Sequence, residues 1–465
     1  MKKNTILYGK AETPMQKKAI SLLSASLLEY TSEYPAVFSA SVGAERENDR
    51  LFYIGTREDH SVFCEAADTP LTYPEEYRIT VKNDTVYIEG FDDAGVLYGC
   101  IDFFDRYIVK HEYTHDDRYR IDPLSETLPD ASFSSYPKVK NRGFWTWGHV
   151  LCDYRGYLDH MARLKLNTLT IWNDRVPFNA REIVEYAHAI GIRIIFGYSW
   201  LWSTDCGSVA FDRLCEHSEE IFARYEREYS ALGADGIYFQ SATEMRAETI
   251  GGINVAEAVT HFVNHTAALF LQKYPDLELQ FGLHATSVKN KLDIIGTTDP
   301  RIRIVWEDAG AFPFSYFPSD IGEVEKTKRF LDRIASLRGK DDLFGVVTKG
   351  LTKLDWSTFT HPDAPLCIGV CEKETRRERL ARKRKIWRYV QAYWIANADV
   401  AKDMIARMAS LKDGDLYISG LLEDGMFEDK IFYPAALFAE MLWDPERDLR
   451  ALMSETALRS YVEFI

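Results

Sequence analysis

The 465-residue chain reads as an α/β protein: a (β/α)8 barrel preceded by a small α/β domain and followed by a helical extension. Three observations carry this expectation. From Asn141 eight strand units, with helices between most of them, follow over about 230 residues, the count and length of such a barrel. The strands in that stretch are apolar runs, as parallel strands covered by helices should be. Residues 1–125 have a different rhythm, with a hairpin between two amphipathic helical segments.

In the first domain Pro14–Thr31 carries Ile20, Leu22, Leu23, Leu27 and Leu28 at helical spacing, and Phe38–Val42 and Leu51–Gly55 read as strands. Tyr77–Val81 and Thr85–Glu89 flank Lys82-Asn83-Asp84, a hairpin signal. Asp93–Ile108 sets Val96, Leu97, Ile101, Phe104 and Ile108 on one side. The polar stretch 109–140, with Pro123, Pro129 and Pro137, marks a boundary.

The barrel is expected over 141–375. Its strands are Gly143–Trp147, Thr168–Trp172, Arg193–Tyr198, Gly236–Gln240, Glu278–Leu283, Arg303–Trp306, Phe344–Thr348 and Leu366–Val370. Helices fall at Tyr154–Leu166, Asn179–Ile190, Phe211–Leu232, Val255–Tyr274, Val288–Ile295 and Glu323–Leu337; the stretch before Leu366 is short and loop-like for a barrel helix. A doubly wound open sheet is the competing architecture. It usually opens on a glycine-rich phosphate turn, and Trp147-Gly148-His149-Val150 is not one. Residues 376–465 read as helical, over Arg377–Ser410, Pro434–Leu442 and Glu446–Phe464.

Composition narrows the function classes. Hydrophobic residues at 46% and charged residues at 27% exclude disordered and fibrous chains. No run approaches the roughly 20 apolar residues of a membrane span, and no apolar segment follows Met1-Lys2-Lys3 as a secretion signal requires. Seven scattered cysteines fit a reducing compartment, so a cytoplasmic location is expected. The net charge of −15 argues against nucleic-acid and membrane partners. The basic run Arg376, Arg377, Arg379, Arg382, Lys383, Arg384, Lys385 and Arg388 is interleaved with Glu372, Glu374 and Glu378, and reads as a solvated or ion-paired face. Cys367-x-x-x-Cys371 has no matching zinc half-site, and no nucleophile elbow, metalloprotease or phosphate-loop motif occurs. No metal or cofactor is expected.

Barrels of this kind do their chemistry at the C-terminal ends of the strands. There the chain places Trp145, Trp147 and His149; Trp172, Asn173 and Asp174; Tyr198, Trp200 and Trp202; Gln240 and Glu244; His284; Trp306, Glu307 and Asp308; and Lys349, with Asp355 and Trp356 in its loop. Seven of the ten tryptophans lie at or just beyond strand ends, whereas core packing would put them within the elements. Indole faces beside carboxylates, amides and a histidine suit a pyranose ring, whose C–H faces stack while its hydroxyls hydrogen-bond. Hydrolysis of a glycoside usually needs two carboxyls. Glu244 is the candidate acid, since Ala242 and Met245 would desolvate it; a helix-capping or solvated glutamate is the bland reading. Glu307 and Asp308 are candidates for the second carboxylate, against an ordinary ion pair. Asp308 is preferred, because it shares a strand side with Trp306, the expected sugar platform. Asp174 and Asp355 are the fallbacks, and His284 and Lys349 are candidate hydroxyl or carboxylate binders.

Two stretches carry a resemblance. Gly90-Phe91-Asp92-Asp93-Ala94-Gly95-Val96-Leu97-Tyr98-Gly99 resembles the small domain that precedes the barrel in family 20 β-hexosaminidases and in α-glucuronidases. Asn141-Arg142-Gly143, followed by Asp153 to Asn167, is similar to the opening of the same barrels. The resemblance implies that Arg142 holds hydroxyls of the terminal sugar and that Glu244 is the general acid. Where family 20 has an Asp-Glu pair this chain has Thr243-Glu244, which removes the residue that orients a substrate N-acetyl group. The α-glucuronidase likeness implies carboxylates on separate strands and an inverting separation. The expectation is an exo-acting glycoside hydrolase for a small carbohydrate; a degenerate carbohydrate-binding barrel is the alternative.

Overall fold

The computed structural model describes residues 2–9, 13–42, 49–107, 110–112, 119–121, 124, 127–201, 210–242, 245, 247–284, 288, 290–308, 324–351, 364–412, 414–422 and 427–465. The chain forms two compact units: residues 1–138 with 189–191 and 453–462, and residues 139–188, 192–452 and 463–465.

The first unit is a six-stranded mixed sheet. Its strands are β1 (Asn4–Tyr8), β2 (Ala36–Ser39), β3 (Arg50–Thr56), β4 (Tyr77–Lys82), β5 (Thr85–Gly90) and β6 (Ala131–Ser135). Their order is β2-β1-β3-β5-β4-β6. The hairpin turns through Asn83 and Asp84 at φ 49° and 62°, the left-handed conformation that asparagine and aspartate tolerate best after glycine. Helix α1 (Pro14–Thr31) starts where Thr13 accepts a hydrogen bond from the Gln16 amide. It buries Ala19, Leu23 and Leu27, while α2 (Asp93–Tyr107) buries Val96, Leu97, Ile101 and Phe104. β6 lies in a stretch expected to be loop, and residues 453–462 return to this unit: Arg459 and Tyr461 both reach Asp105.

The second unit is a closed, all-parallel eight-stranded barrel. Its strands are β7 (Asn141–Trp147), β8 (Thr168–Trp172), β9 (Arg193–Ser199), β10 (Gly236–Gln240), β11 (Glu278–His284), β12 (Ile302–Glu307), β13 (Phe344–Thr348) and β14 (Leu416–Leu421). Helices intervene, among them α3 (Tyr154–Arg163), α4 (Ala180–Ala189), α5 (Ser218–Glu228), α6 (Val255–Lys273) and α7 (Val324–Ala335). Seven strands match the sequence expectation. The eighth does not: it is β14, from the stretch read as helical, and Leu366–Val370 makes one bridge, Asp153 to Val370, instead of a strand. The expected helix Arg377–Ser410 is two, α8 (Lys373–Ala396) and α9 (Ala398–Leu411), broken at Asn397 with φ −129°. Among the described residues no helix is long and apolar enough to cross a membrane.

Side chains fill the barrel interior: Trp145, Trp147, Trp172, Ile195, Tyr238, Val305, Val347, Tyr417 and Leu421 form one buried cluster. Rings this large fit because neighbouring strands present glycine to them. A β-carbon at Gly197 would come within 2.8 Å of Trp172, and one at Gly282 would collide with the Tyr238 hydroxyl. At the N-terminal end of the strands an ionic group closes the barrel. Glu278 pairs with Arg303 at 2.6 Å and Arg193 at 2.8 Å, and the two arginines hold its carboxyl down to about 2 despite burial.

Candidate active site

The C-terminal end of the barrel is polar and is organised around Glu307, the last residue of β12. Alternation along the strand sends Val305 and Glu307 inward and Trp306 outward. Glu307 is 5% exposed. One carboxylate oxygen accepts from the Tyr238 hydroxyl and the Gln240 amide on β10, and the other pairs with Lys349 Nζ at 2.9 Å. Burial pushes this carboxyl up, but the Lys349 ammonium, His284 and the Tyr238 hydroxyl outweigh it, so its proton affinity lies below the ordinary glutamate range. His284 stands beside Glu307 in the β11–β12 register. The Lys349 charge, then burial, lowers its pKa to about 4, against a pull upward from Glu307. At neutral pH Glu307 is therefore ionised and His284 neutral.

An aromatic wall adjoins it. Trp145 meets Tyr238 edge-on at 5.8 Å, and Trp172 does so at 6.0 Å. Trp147 packs on Trp145 at 4.8 Å and on Trp172 at 5.9 Å. Trp145 Nε1 is buried with no hydrogen-bond partner among the described residues.

Of the residues expected at the site, the structure therefore brings Trp145, Trp147, Trp172, Gln240, His284, Glu307 and Lys349 to one end of the barrel. Asn173 and Asp174 follow β8 at the same end, Asn173 buried and donating to the Arg175 carbonyl, Asp174 half-buried. Four expectations are corrected. Trp306 is no platform: it is wholly buried against Phe330 of α7, at 5.6 Å. Asp308 shares its side and is likewise fully buried, its carboxylate accepting the Lys349 backbone amide at 3.2 Å. The inward carboxylate is Glu307, so the preference for Asp308 is reversed. Tyr198 faces the helix layer, stacked on Tyr229 at 4.9 Å and under Arg224, because Gly197 takes the inward position. Arg142 lies at the opposite end of the barrel, fully buried, donating to the carbonyls of Lys165, Val139 and Lys140 at 2.8–3.2 Å. Glu244, Trp202, Trp356 and Asp355 lie outside the described residues, and with them the distance from Glu244 to Glu307.

Two residues escaped the sequence reading. Tyr238 was visible in principle, since it sits two before Gln240 and strand alternation puts both on one face. Glu428, just after β14, is the other. It is buried, accepts the Cys152 amide at 2.9 Å, and burial pushes its carboxyl up to about 7. It was missed because its strand was. Among the described residues no three histidines, cysteines or carboxylates converge to hold a metal ion.

No protein-family model matches the sequence, and no curated protein does. Solved structures do match. The Flavobacterium johnsoniae chitobiase, a GH20 protein, gives a TM-score of 0.56 at 12% identity, over 98% of this chain and 68% of that one. A GH138 enzyme targeting pectin rhamnogalacturonan II gives 0.55 at 15%, over 96% of this chain and 64% of that one, so the chain spans less than two thirds of its length. The GH20 exo-β-N-acetylglucosaminidase of Vibrio harveyi, bound to N-acetylglucosamine, gives 0.50 at 13%, over 98% and 73%. At such identities the likeness is one of fold: over nearly its whole length the chain follows the fold of glycoside hydrolases of families 20 and 138.

Proposed function

We propose that the chain is an exo-acting glycoside hydrolase of the cytoplasm, cleaving the O-glycosidic bond of a small carbohydrate with two carboxyls and without metal or cofactor. One observation carries the reading: a buried carboxylate, Glu307, surrounded by three donors and set against an aromatic wall. A carboxylate so held stays ionised and binds a proton weakly. That suits a group facing the positive charge of an oxocarbenium-like transition state, as nucleophile or stabiliser, better than a base that must take a proton from water. Retention of anomeric configuration follows, in place of the inversion implied by the α-glucuronidase likeness. Glu244 is the acid that protonates the leaving oxygen. Trp147, the least buried of the three inward indoles, borders the sugar ring, while Asn173, Asp174, Gln240 and neutral His284 exchange hydrogen bonds with its hydroxyls.

A panel of aryl glycosides, followed by NMR of the first-formed product, tests this. At least one is hydrolysed from its non-reducing end with retention, and Glu307→Gln lowers that turnover by about 10²–10³-fold. An inverted product would make Glu307 a base. Sugar binding without hydrolysis of any glycoside would favour the carbohydrate-binding barrel, the reading that Thr243 beside Glu244 supports.

A further inference from the structure

Residues 366–371 form a strap across the starts of two barrel helices. The Phe178 amide donates to Leu366 O at 2.9 Å, and Asn179 exchanges two side-chain bonds with the Ile368 backbone at 2.9 and 3.1 Å. The Tyr154 amide donates to Gly369 O at 3.1 Å, and the Cys371 amide donates to Cys152 O at 2.9 Å. These last two bonds flank the antiparallel bridge between Asp153 and Val370. Cys152 and Cys371 are therefore neighbours across the end of this contact, joined by that one backbone bond, while the Cys152 amide turns away to Glu428. Residues facing each other beside an antiparallel bridge have Cα atoms about 4.5–5.5 Å apart, inside the roughly 4.4–6.8 Å that a disulfide spans. Both thiols are free. Cys371 is exposed, whereas Cys152 is buried with its Sγ 2.9 Å from Arg379 Nη1. One thiol is open to a reagent in solution, and the other waits behind it beside a cation.

We propose that Cys152 and Cys371 are a thiol–disulfide pair that locks the strap to the loop following β7. The co-reactant is a small disulfide of the glutathione class. The Cys371 thiolate attacks it, breaking its S–S bond, releasing one thiolate and leaving a mixed disulfide on Cys371. Cys152 gives its proton to solvent and attacks Cys371 Sγ, expelling the second thiolate. Two protein thiols are oxidised, and one small disulfide is reduced to two thiols. Burial pushes the Cys152 thiol up to about 11 and Arg379 pulls it back, so the second attack is the slower. The lock joins the starts of α3 and α4, the helices that follow the two strands bearing Trp145, Trp147 and Trp172.

The full chain is equilibrated in glutathione buffers from fully reduced to fully oxidised, quenched with an alkylating reagent and mapped by peptide mass. Alkylated thiols fall by two per chain, a peptide joining Cys152 to Cys371 appears, and the oxidised form melts at a higher temperature. Cys371→Ser removes all three changes and Cys367→Ser removes none. Cys152→Ala, lacking the resolving thiol, keeps glutathione on Cys371. A Cys367–Cys371 link, glutathione retained on the unaltered chain at equilibrium, or both thiols alkylated in the most oxidising buffer would overturn the proposal. So would a Cys152→Ala chain that takes up no glutathione.

Discussion

Lys349 Nζ lies 2.9 Å from Glu307 Oε2, and the same ammonium is the largest influence lowering the pKa of His284. One cation thus fixes the protonation of two neighbours in the same direction, downward. Lys349→Met leaves the burial of Glu307 unopposed by that charge, so its proton affinity rises. The acid limb of the kcat/KM profile moves to higher pH, and His284, followed by NMR, titrates well above its present value near 4. An unmoved acid limb would mean that Glu307 is not the ionised group on which turnover depends.

Gly282→Ala places a methyl group where the Tyr238 hydroxyl sits. The ring must move, and Glu307 loses a donor on the β10 side. Hydrogen bonds to charged groups are worth about 1.5–3 kcal/mol, so turnover falls by about 10–100-fold. Tyr238→Phe produces a similar loss without steric strain, and the double variant is no worse than either single one. Additive losses would show that the glycine acts by another route.

Glu244→Gln cannot give a proton to the leaving oxygen. Turnover on substrates with poor leaving groups falls by about 10²–10⁴-fold, while aryl glycosides with acidic phenols lose much less. A near-native rate on an unactivated substrate would transfer the acid role elsewhere, with Glu428, titrating near 7, the next candidate.

Glu278 governs acid stability. Its folded-state pKa of about 2 lies below the ordinary glutamate value. The stability it contributes is therefore complete above the unfolded pKa and is lost as pH falls through the folded one. The shift corresponds to about 3 kcal/mol, read as a fall in denaturation midpoint between pH 4.5 and 2. Glu278→Gln flattens that segment and costs about 3–5 kcal/mol at neutral pH, because Arg193 and Arg303 lose their shared anion.

Most of the barrel was legible because its strands are apolar runs between amphipathic helices. Leu366–Val370 misled for a physical reason: its apolar residues satisfy their backbone groups on Tyr154, Phe178 and Asn179 instead of on a neighbouring strand. β14 escaped because it follows two helices and not one. Within the site, residue identity was legible but strand parity was not always so. Trp306 was placed inward with Asp308, yet Glu307 takes that side because Tyr238 and Gln240 face it across the barrel. For Tyr198 the parity was written next door, since Gly197 is the inward residue that makes room for Trp172. An inward glycine beside a bulky neighbour marks strand parity when hydrophobicity does not.

The late arrival of β14 bears on how the molecule is made. β14 pairs with β13 on one side and with β7, the first barrel strand, on the other. A nascent chain that has emerged as far as Thr348 holds seven strands with two open edges, at β7 and β13. Neither edge can be satisfied until the ribosome has passed Leu421. At about 5–20 residues per second, the gap lasts for seconds, during which apolar strands display unpaired amides to other chains. Closing the seam joins residues far apart in sequence, which is slow in its own right. Truncation ahead of β14 should therefore yield aggregates instead of a smaller barrel, and production of the chain should depend on protection of that seam.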